Sequence, residues 1–254
     1  MRLENLKIRY WLIGLYVSIM GLVPLIHTHF DFYYTYKVWK DWQTLTAGMI
    51  ALFASLFALD AARVRQEKQR QRDFIAEKAF LPEVFADLRD YLEECADFVQ
   101  EIKINEINND LSSPLKTPLP QSPGNYKEVF RNCIAKSEPE FAKVLIDMLS
   151  ELQVHQSRMK SLHETLKKNR SLKNKLPGGY YFSCLFRIAK MGGTINKNYD
   201  FARSEEKFIK RKLNWEDIRS GLRPNMRVDK IDELAPENRG FERFAKGIIE
   251  REKT

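Results

Sequence analysis

The sequence predicts an all-α protein in which an N-terminal two-helix transmembrane hairpin continues into a cytosolic helical bundle. Two long apolar runs near the N-terminus predict the hairpin, and amphipathic repeats with helical spacing farther along predict the bundle. No segment shows the alternation that is typical of a strand. Hydrophobic residues make up 44% of the 254 residues, yet the mean hydropathy is −0.45, so the chain outside the apolar runs is strongly polar.

The two apolar runs extend from Tyr10 to Ile26 and from Trp42 to Leu59. The hydrocarbon layer of a bilayer is about 30 Å thick, and a helix that rises about 1.5 Å per residue crosses it with roughly 20 residues. Asp60 follows the second run directly, as expected if a charge inside lipid is costly. Burial in a soluble core is the alternative for both runs, and a cleaved signal peptide is the alternative for the first.

Basic residues precede the first run and follow the second, so a hairpin would place both groups on the same side of the membrane. Arg2, Lys7 and Arg9 precede the first run, whereas the charges of the spacer between the runs cancel. The positive-inside rule then places both termini in the cytoplasm. Five juxtamembrane basic residues follow the second run and are expected to contact anionic lipid headgroups, with a solvated stop-transfer flank as the alternative. They are Arg63, Arg65, Lys68, Arg70 and Arg72.

Small residues recur at helical spacing in both runs and predict faces for close helix packing in lipid. These faces either close the hairpin or join two copies of the chain, and the sequence leaves both uses open. They consist of Gly14, Ser18 and Gly21 in the first run and of Ala47, Ala51, Ser55 and Ala58, the small-residue stripe, in the second.

Beyond the second run, the helix is expected to continue as a stalk to Lys78, because this stretch lacks glycine and proline. A four-three apolar repeat then predicts an amphipathic helix, in which Pro82 marks either a kink or a fresh start near Leu81. The segment 111–124 holds four prolines and no periodicity, which predicts a linker. The repeat comprises Phe74, Leu81, Phe85, Leu88, Leu92, Cys95, Val99 and Ile102.

A second long amphipathic helix is predicted after a short one from Tyr126 to Ala135. Ser137 and Glu140 have the spacing of a capping box. We expect the two long helices to pack antiparallel as the core pair of a bundle, with an intermolecular coiled coil as the alternative. The second repeat comprises Phe141, Leu145, Met148, Leu152, His155, Met159, Leu162 and Leu166.

The last third is less regular. A helix is predicted to begin near Gly179 and to be interrupted at Gly192 and Gly193, and further helices are expected at 199–213, after a cap at Asn214, and within 236–251. The predicted organisation is a transmembrane hairpin (1–62), a stalk with the long amphipathic helix (63–110), the linker (111–124), and a helical region that packs on the stalk helix (125–254).

No residue is predicted to be catalytic, and no cofactor or metal site is predicted. His155 lies on an apolar stripe, and His27 and His29 lack the further ligands that a metal site needs. The three cysteines are widely spaced, and we expect them to be reduced and structural; they are Cys95, Cys133 and Cys184.

The net charge of +8 has two interpretations. A cytosolic domain held against an anionic lipid leaflet accounts for it, and we expect a protein partner or a second copy as well. Nucleic acid is the alternative partner, although no recognised reading motif is present. It would require a basic face built from residues such as Arg170, Lys173, Lys175, Lys210 and Arg211.

One resemblance adds to these expectations. The stretch DWQTLTAGMIALFASLFALDAARVRQEKQRQR, followed by a helix containing Leu-Pro and later by LQVHQSRMKSL, is similar to uncharacterised two-span bacterial membrane proteins, particularly those of proteobacteria. The resemblance implies a location in the bacterial inner membrane and no established activity. We therefore expect a non-enzymatic membrane protein for protein interaction, scaffolding or signal relay. A membrane-tethered nucleic-acid binder and a membrane-anchored helical enzyme are the alternatives.

Overall fold

The structure, a computed structural model, is all-α throughout the residues that it describes, which confirms the all-α part of the predicted fold class. The chain divides into two compact units, Met1–Lys68 and Gln69–Thr254. The described residues are 11, 14–16, 18–19, 23–27, 31–108, 110, 115–168, 178–208, 212–222, 226, 228–234 and 240–251.

The first unit contains α1 (Val23–His27), α2 (Phe32–Asp41) and most of α3 (Gln43–Lys78). α2 begins at a capping residue, Asp31, whose carboxylate accepts hydrogen bonds from the backbone N–H groups of the second and third helical residues at 3.0 and 3.4 Å. Much of the first apolar run lies outside the described residues, so the first span stays a prediction.

α3 contains the second apolar run and continues without a break to Lys78, as predicted. The described residues hold one candidate membrane span, within the helical stretch Gln43–Ile107; its most apolar window has a mean hydropathy of 1.8, and none of that window is buried inside the protein. Large apolar side chains of α3 are instead exposed, among them Leu45, Ile50, Leu52, Phe57 and Leu59.

The second unit begins with the last ten residues of α3. α4 then starts afresh at Leu81 with Pro82 in its first turn, which confirms one of the two predicted outcomes. The remaining helices are α5 (Tyr126–Lys136), α6 (Pro139–Lys168), α7 (Gly178–Ala202), α8 (Trp215–Ser220), α9 (Val228–Leu234) and α10 (Phe241–Arg251).

The two predicted apolar repeats form the core of this unit. The repeat of α4 is buried from Leu81 to Ile102, and that of α6 is buried from Phe141 to Leu162. Phe74 and Leu166, at the outer ends of the two repeats, are half-buried against the same core. The periodicity therefore identified the buried face of each long helix correctly.

The direction in which these helices pack was predicted wrongly, because α4 and α6 run parallel. The ring of Tyr91 lies 6.2 Å from that of His155, and farther along both helices Phe98 lies 6.2 Å from His163. Residue numbers in the two pairs rise together, as they do only between parallel helices. An apolar repeat marks which face is buried but carries no information about the direction of the partner.

The chain returns along α4 before α6 begins, and this return makes the two helices parallel. The carboxylate of Glu101 accepts hydrogen bonds from the backbone N–H groups of Lys116 and Thr117 at 2.6 and 2.8 Å. These bonds lower the pKa of Glu101, although burial alone would raise it. α5 then continues the return, with Phe130 against Phe85 at 6.3 Å. The described part of the predicted linker is therefore non-helical but packed.

α7 is continuous through Gly192 and Gly193, so the predicted interruption is wrong. These glycines instead let α8 cross α7 at very close range, because a Cβ on Gly193 would collide with the backbone carbonyl of Asp217. A Cβ on Gly221 would likewise collide with the backbone carbonyl of Ala189. Glycine inside a helix costs only about 1 kcal/mol relative to alanine. The close packing of α7 against α8 outweighs this cost, so α7 continues through both glycines.

Two other expectations about helix ends differ from the structure. Ser137 forms no capping box: its hydroxyl is buried without a hydrogen-bond partner among the described residues, and α6 begins at Pro139, one residue later than that box requires. α7 ends at Ala202, after which the chain turns through Ser204 at a φ of 65°, so no helix spans 199–213.

The cap at Asn214 is confirmed. Its side chain accepts a hydrogen bond from the backbone N–H of Asp217 at 2.8 Å, and the Asp217 carboxylate accepts one from the backbone N–H of Asn214 at 2.8 Å. α8 is therefore held at its N-terminus by a reciprocal pair. The helix α9 was not predicted, and α10 forms the described part of the predicted final helix.

Candidate functional site

The first candidate site is the surface of the apolar part of α3. Half-buried residues recur along it at intervals of three and four and mark one covered face; they are Thr46, Met49, Phe53, Leu56 and Asp60. The ring of Tyr16, in the first apolar run, lies against Phe53 on this face at 6.1 Å. Larger side chains, rather than the smallest ones, therefore make the contact within the first unit.

The small-residue stripe lies on the opposite side of α3 from the covered face, about 180° around the helix axis. All four of its side chains are exposed, and the hydroxyl of Ser55 donates to the carbonyl of Ala51 in its own helix at 2.8 Å. In the first run, Gly14 and Ser18 are also exposed, and Gly21 lies outside the described residues. Closure of the hairpin and contact between copies both stay predictions.

The five juxtamembrane basic residues do not share one environment. Arg63, Arg65, Lys68 and Arg72 are exposed, whereas Arg70 is half-buried. The Arg70 guanidinium donates hydrogen bonds to two backbone carbonyls at the C-terminal end of α5, those of residues 136 and 137, at 3.1 and 3.0 Å. A cation is favourable at this end of a helix, so Arg70 stabilises the contact of α3 with α5.

Arg70 is part of a junction, which we define as Arg70, Phe74, Glu77 and Lys78 of α3 together with the α5–α6 turn. The Lys136 ammonium donates to the Glu77 carboxylate at 2.9 Å, and the Asn132 amide donates to it at 3.3 Å. The hydrogen bond with Lys136 lowers the pKa of Glu77 and raises that of Lys136. These polar contacts hold the last turns of α3 against the end of α5.

Apolar contacts complete the junction. The ring of Phe74 meets that of Phe141 edge-on at 6.2 Å, and Phe141 in turn contacts Phe201 at 4.6 Å and Phe208 at 5.2 Å. The Lys78 ammonium lies 3.6 Å from the centroid of the Phe201 ring, and the lysine is only 8% exposed. Burial lowers the pKa of Lys78, and the ring face offers a partial compensation for lost water.

Sequence reasoning did not single out Glu77, Lys78, Asn132 or Lys136. A usable signal was present: Arg70 lies four residues before Phe74, a spacing that places two side chains on the same side of a helix. That spacing would have separated Arg70 from the other basic residues. The contacts of Asn132 and Lys136 depend on the return of the chain and carry no local sequence signal.

A groove lies between α6 and α7 in the second unit. It contains a cavity of about 360 Å³ and a neighbouring one of about 260 Å³, and Glu151, Lys190 and Met191 line both. The Lys190 ammonium pairs with Glu151 at 3.0 Å, and Lys197, which lines the larger cavity, pairs with Asp217 at 2.6 Å. The lysines of the groove are thus held by the protein itself.

The titratable core residues are placed for packing rather than for reaction. His155 is 1% exposed, and burial lowers its pKa to about 4, so it is neutral at physiological pH. The three cysteines are free and buried, as predicted, and burial raises the pKa of Cys95 and Cys133 to about 12 and that of Cys184 to about 11. Such thiols are weak nucleophiles near neutral pH.

Several residues that the sequence analysis named lie in parts of the chain that the structure does not describe. His29 and the basic residues Arg170, Lys173, Lys175, Lys210 and Arg211 lie outside the described residues. Within the described part of the chain, no group of three or more histidine, cysteine, aspartate or glutamate side chains is arranged to hold a metal ion.

Comparisons of the chain with protein-family models, with curated proteins and with solved structures found no match. The resemblance to two-span bacterial membrane proteins therefore stays a prediction.

Proposed function

We propose that the chain is an integral protein of the bacterial inner membrane, with two spans and both termini in the cytosol. Its second unit acts without catalysis as a cytosolic helical bundle for protein interaction, scaffolding or signal relay. The observation that carries the proposal is the exposed apolar surface of α3. Each of these five large side chains is about half exposed, so at about 1 kcal/mol each they would cost on the order of 5 kcal/mol in water, and lipid removes this cost.

The charges that follow the apolar surface support the orientation. Arg63, Arg65 and Lys68 are exposed and lie within three turns of the end of the apolar run, on the side that the positive-inside rule assigns to the cytosol. Near an anionic leaflet, each contributes about 1 kcal/mol of attraction. Lipid headgroups are thus the first partner in this proposal.

The junction supports a relay function. α3 is one uninterrupted helix, and Arg70, Phe74 and Glu77 fix its last turns to the α5–α6 turn. A rotation or shift of α3 would have to be accommodated by these contacts. His155 and the cysteines are committed to the core, which favours a non-catalytic bundle over a helical enzyme that would use them.

Single introduced cysteines test the proposed topology in living bacterial cells. The native cysteines are unsuitable reporters, because burial raises their pKa. Lys37→Cys, at an exposed charged position of α2, should react with a membrane-impermeant maleimide in cells whose outer membrane has been permeabilised. Glu206→Cys, on an exposed turn of the bundle, should react only after lysis. The reverse pattern, or equal labelling of both before lysis, would contradict the proposal.

A further inference from the structure

We infer that α2 lies in the lipid headgroup layer on the membrane face opposite the basic residues, and that its aromatic rings hold it there. The inference rests on the proposed membrane location and adds a second lipid contact of different chemistry. It follows from three properties of α2, namely its exposed rings, its length with its charges, and its direct connection to α3.

The rings of α2 are too exposed for a helix in water. Six large aromatic side chains fall within eleven consecutive residues, and between 48% and 81% of each is exposed. Three of them, at intervals of four and three, share one face of the helix. Exposed apolar area of this extent marks a contact surface rather than a solvated one. Five of the six, Phe32, Tyr33, Tyr34, Tyr36 and Trp39, lie on α2, and Trp42 follows its last residue.

α2 is also too short and too charged for the hydrocarbon layer. Its ten residues extend about 15 Å, roughly half of that layer. Lys37, Lys40 and Asp41 lie on it, and Asp31 caps it. A charge at mid-membrane costs about 2.5 to 3.5 kcal/mol, so four charges exclude the helix from the interior. The headgroup layer is the medium that accepts both the rings and the charges.

The connection to α3 favours lipid over a protein as the occupant of this surface. Only Trp42 separates α2 from α3, and the carbonyl of Trp42 accepts a hydrogen bond from the backbone N–H of Thr46 at 2.9 Å. The exposed rings therefore lead directly into the exposed apolar side chains of α3. Tyrosine and tryptophan combine an apolar ring with a polar group, which suits the boundary where that apolar surface ends.

The two lipid contacts should depend differently on lipid charge. Lys37 and Lys40 are balanced by Asp31 and Asp41, so α2 has no net attraction to anionic headgroups. The contact made by Arg65 and Lys68 is electrostatic and should weaken with salt. Insertion of α2 should change little when anionic lipid or salt is varied.

Tryptophan quenching in the full-length protein tests this inference. Trp11→Phe, Trp42→Phe and Trp215→Phe together leave Trp39 as the reporter. The protein is reconstituted in phosphatidylcholine vesicles whose acyl chains carry bromine either near the headgroup or near the chain end. Shallow bromine should quench Trp39 at least about twofold more than deep bromine, and aqueous iodide should quench it weakly. Addition of anionic lipid should leave these ratios unchanged.

Three outcomes would overturn the inference. Strong quenching of Trp39 by iodide without quenching by lipid places α2 in water. Stronger quenching by deep bromine places it in the hydrocarbon, and shielding from both quenchers means that a protein or a second copy covers it. A matched variant that retains only Trp215, in the bundle, should show no lipid quenching.

A second reporter separates this inference from the proposed function. Ile50→Trp, in a chain whose native tryptophans are all replaced by phenylalanine, places the reporter midway along the apolar run of α3. Quenching of this residue by deep bromine, combined with exposure of Trp39 to iodide, would reject the role of α2 and keep the membrane location. Absence of lipid quenching at both positions would reject the membrane location itself.

Discussion

The two units treat the same apolar side chains in opposite ways. In α4, Phe85 and Leu88 are fully buried, whereas in α3 Leu52 and Phe57 are about half exposed, although both helices are rich in leucine and phenylalanine. The second unit builds a core from its own helices, whereas the apolar window of α3 is not buried among the described residues. The difference teaches that the packing partners of each region, rather than residue type, decide whether apolar residues are buried.

Truncation of a phenylalanine should give the largest difference in stability loss between the two units. Phe85→Ala removes a fully buried ring and should lower the free energy of unfolding of the bundle by about 3 to 5 kcal/mol. Phe57→Ala removes an exposed ring and should leave it unchanged. Urea unfolding of the full-length protein in lipid nanodiscs measures both. Equal losses would mean that α3 shares the core of the bundle.

Acid should destabilise the bundle through His155. Its pKa is about 6.5 in the unfolded chain and about 4 in the folded protein, since burial and then Arg187 and Arg158 disfavour its charge. The unfolded state therefore takes up the proton first, so stability is complete above pH 6.5 and is lost as the pH falls through 4. The total loss is on the order of 3 kcal/mol.

The variant His155→Phe isolates this effect, because other acid-sensitive groups such as Glu77 stay in place. Unfolding free energies measured between pH 7 and pH 4 should fall less steeply in the variant than in the parent protein. Identical slopes would show that His155 is not buried as the structure has it.

Glycine substitutions should destabilise the second unit but not the first. Gly193→Ala places a Cβ against the carbonyl of Asp217 and should destabilise the crossing of α7 and α8 by about 1 to 3 kcal/mol. Gly48→Ala meets nothing within 4 Å, and alanine is the better helix former, so no loss is expected. Thermal unfolding monitored by circular dichroism distinguishes the two. A neutral Gly193→Ala would contradict the close crossing.

The smallest expected effect separates two neighbouring arginines. Arg70→Gln removes the charge from the hydrogen bonds to α5 and should cost about 1 to 2 kcal/mol of bundle stability. Arg72→Gln, at an exposed position, should change stability by less than about 0.5 kcal/mol. Chemical unfolding of both variants supplies the comparison. Equal losses of stability would contradict the conclusion that Arg70, unlike Arg72, stabilises the junction.

Periodicity in the sequence was sufficient to predict what the two long helices of the second unit, α4 and α6, bury. The repeats of α4 and α6 are buried as expected, the fresh start at Leu81 follows from Pro82, and Asn214 caps α8. These features depend on residues within a few positions of one another. Interactions between residues close in sequence were therefore enough to predict these helices and the faces that they bury.

Contacts between distant residues were beyond the same reasoning. The return of the chain depends on Glu101 meeting residues 116 and 117, and nothing near Glu101 in sequence announces this. Gly192 and Gly193 were interpreted by their conformational freedom, whereas the crossing helix uses their missing side chains. Of the candidate site, the exposed apolar run was predictable, but the division of Arg70 from Arg72 required the position of α5.

Cysteine accessibility along α3 tests the central claim most directly. Ala47, Ala51 and Ala58 in the apolar run are exposed in the structure, as are Ala61, Ala62 and Ala76 beyond it, so the protein itself shields none of them. Each is replaced singly by cysteine in the full-length protein, which is reconstituted in vesicles and treated with a polar maleimide. We expect no labelling at the first three positions and rapid labelling at the last three. Equal labelling along the whole helix would contradict the account, because the fold of the chain itself shields neither group.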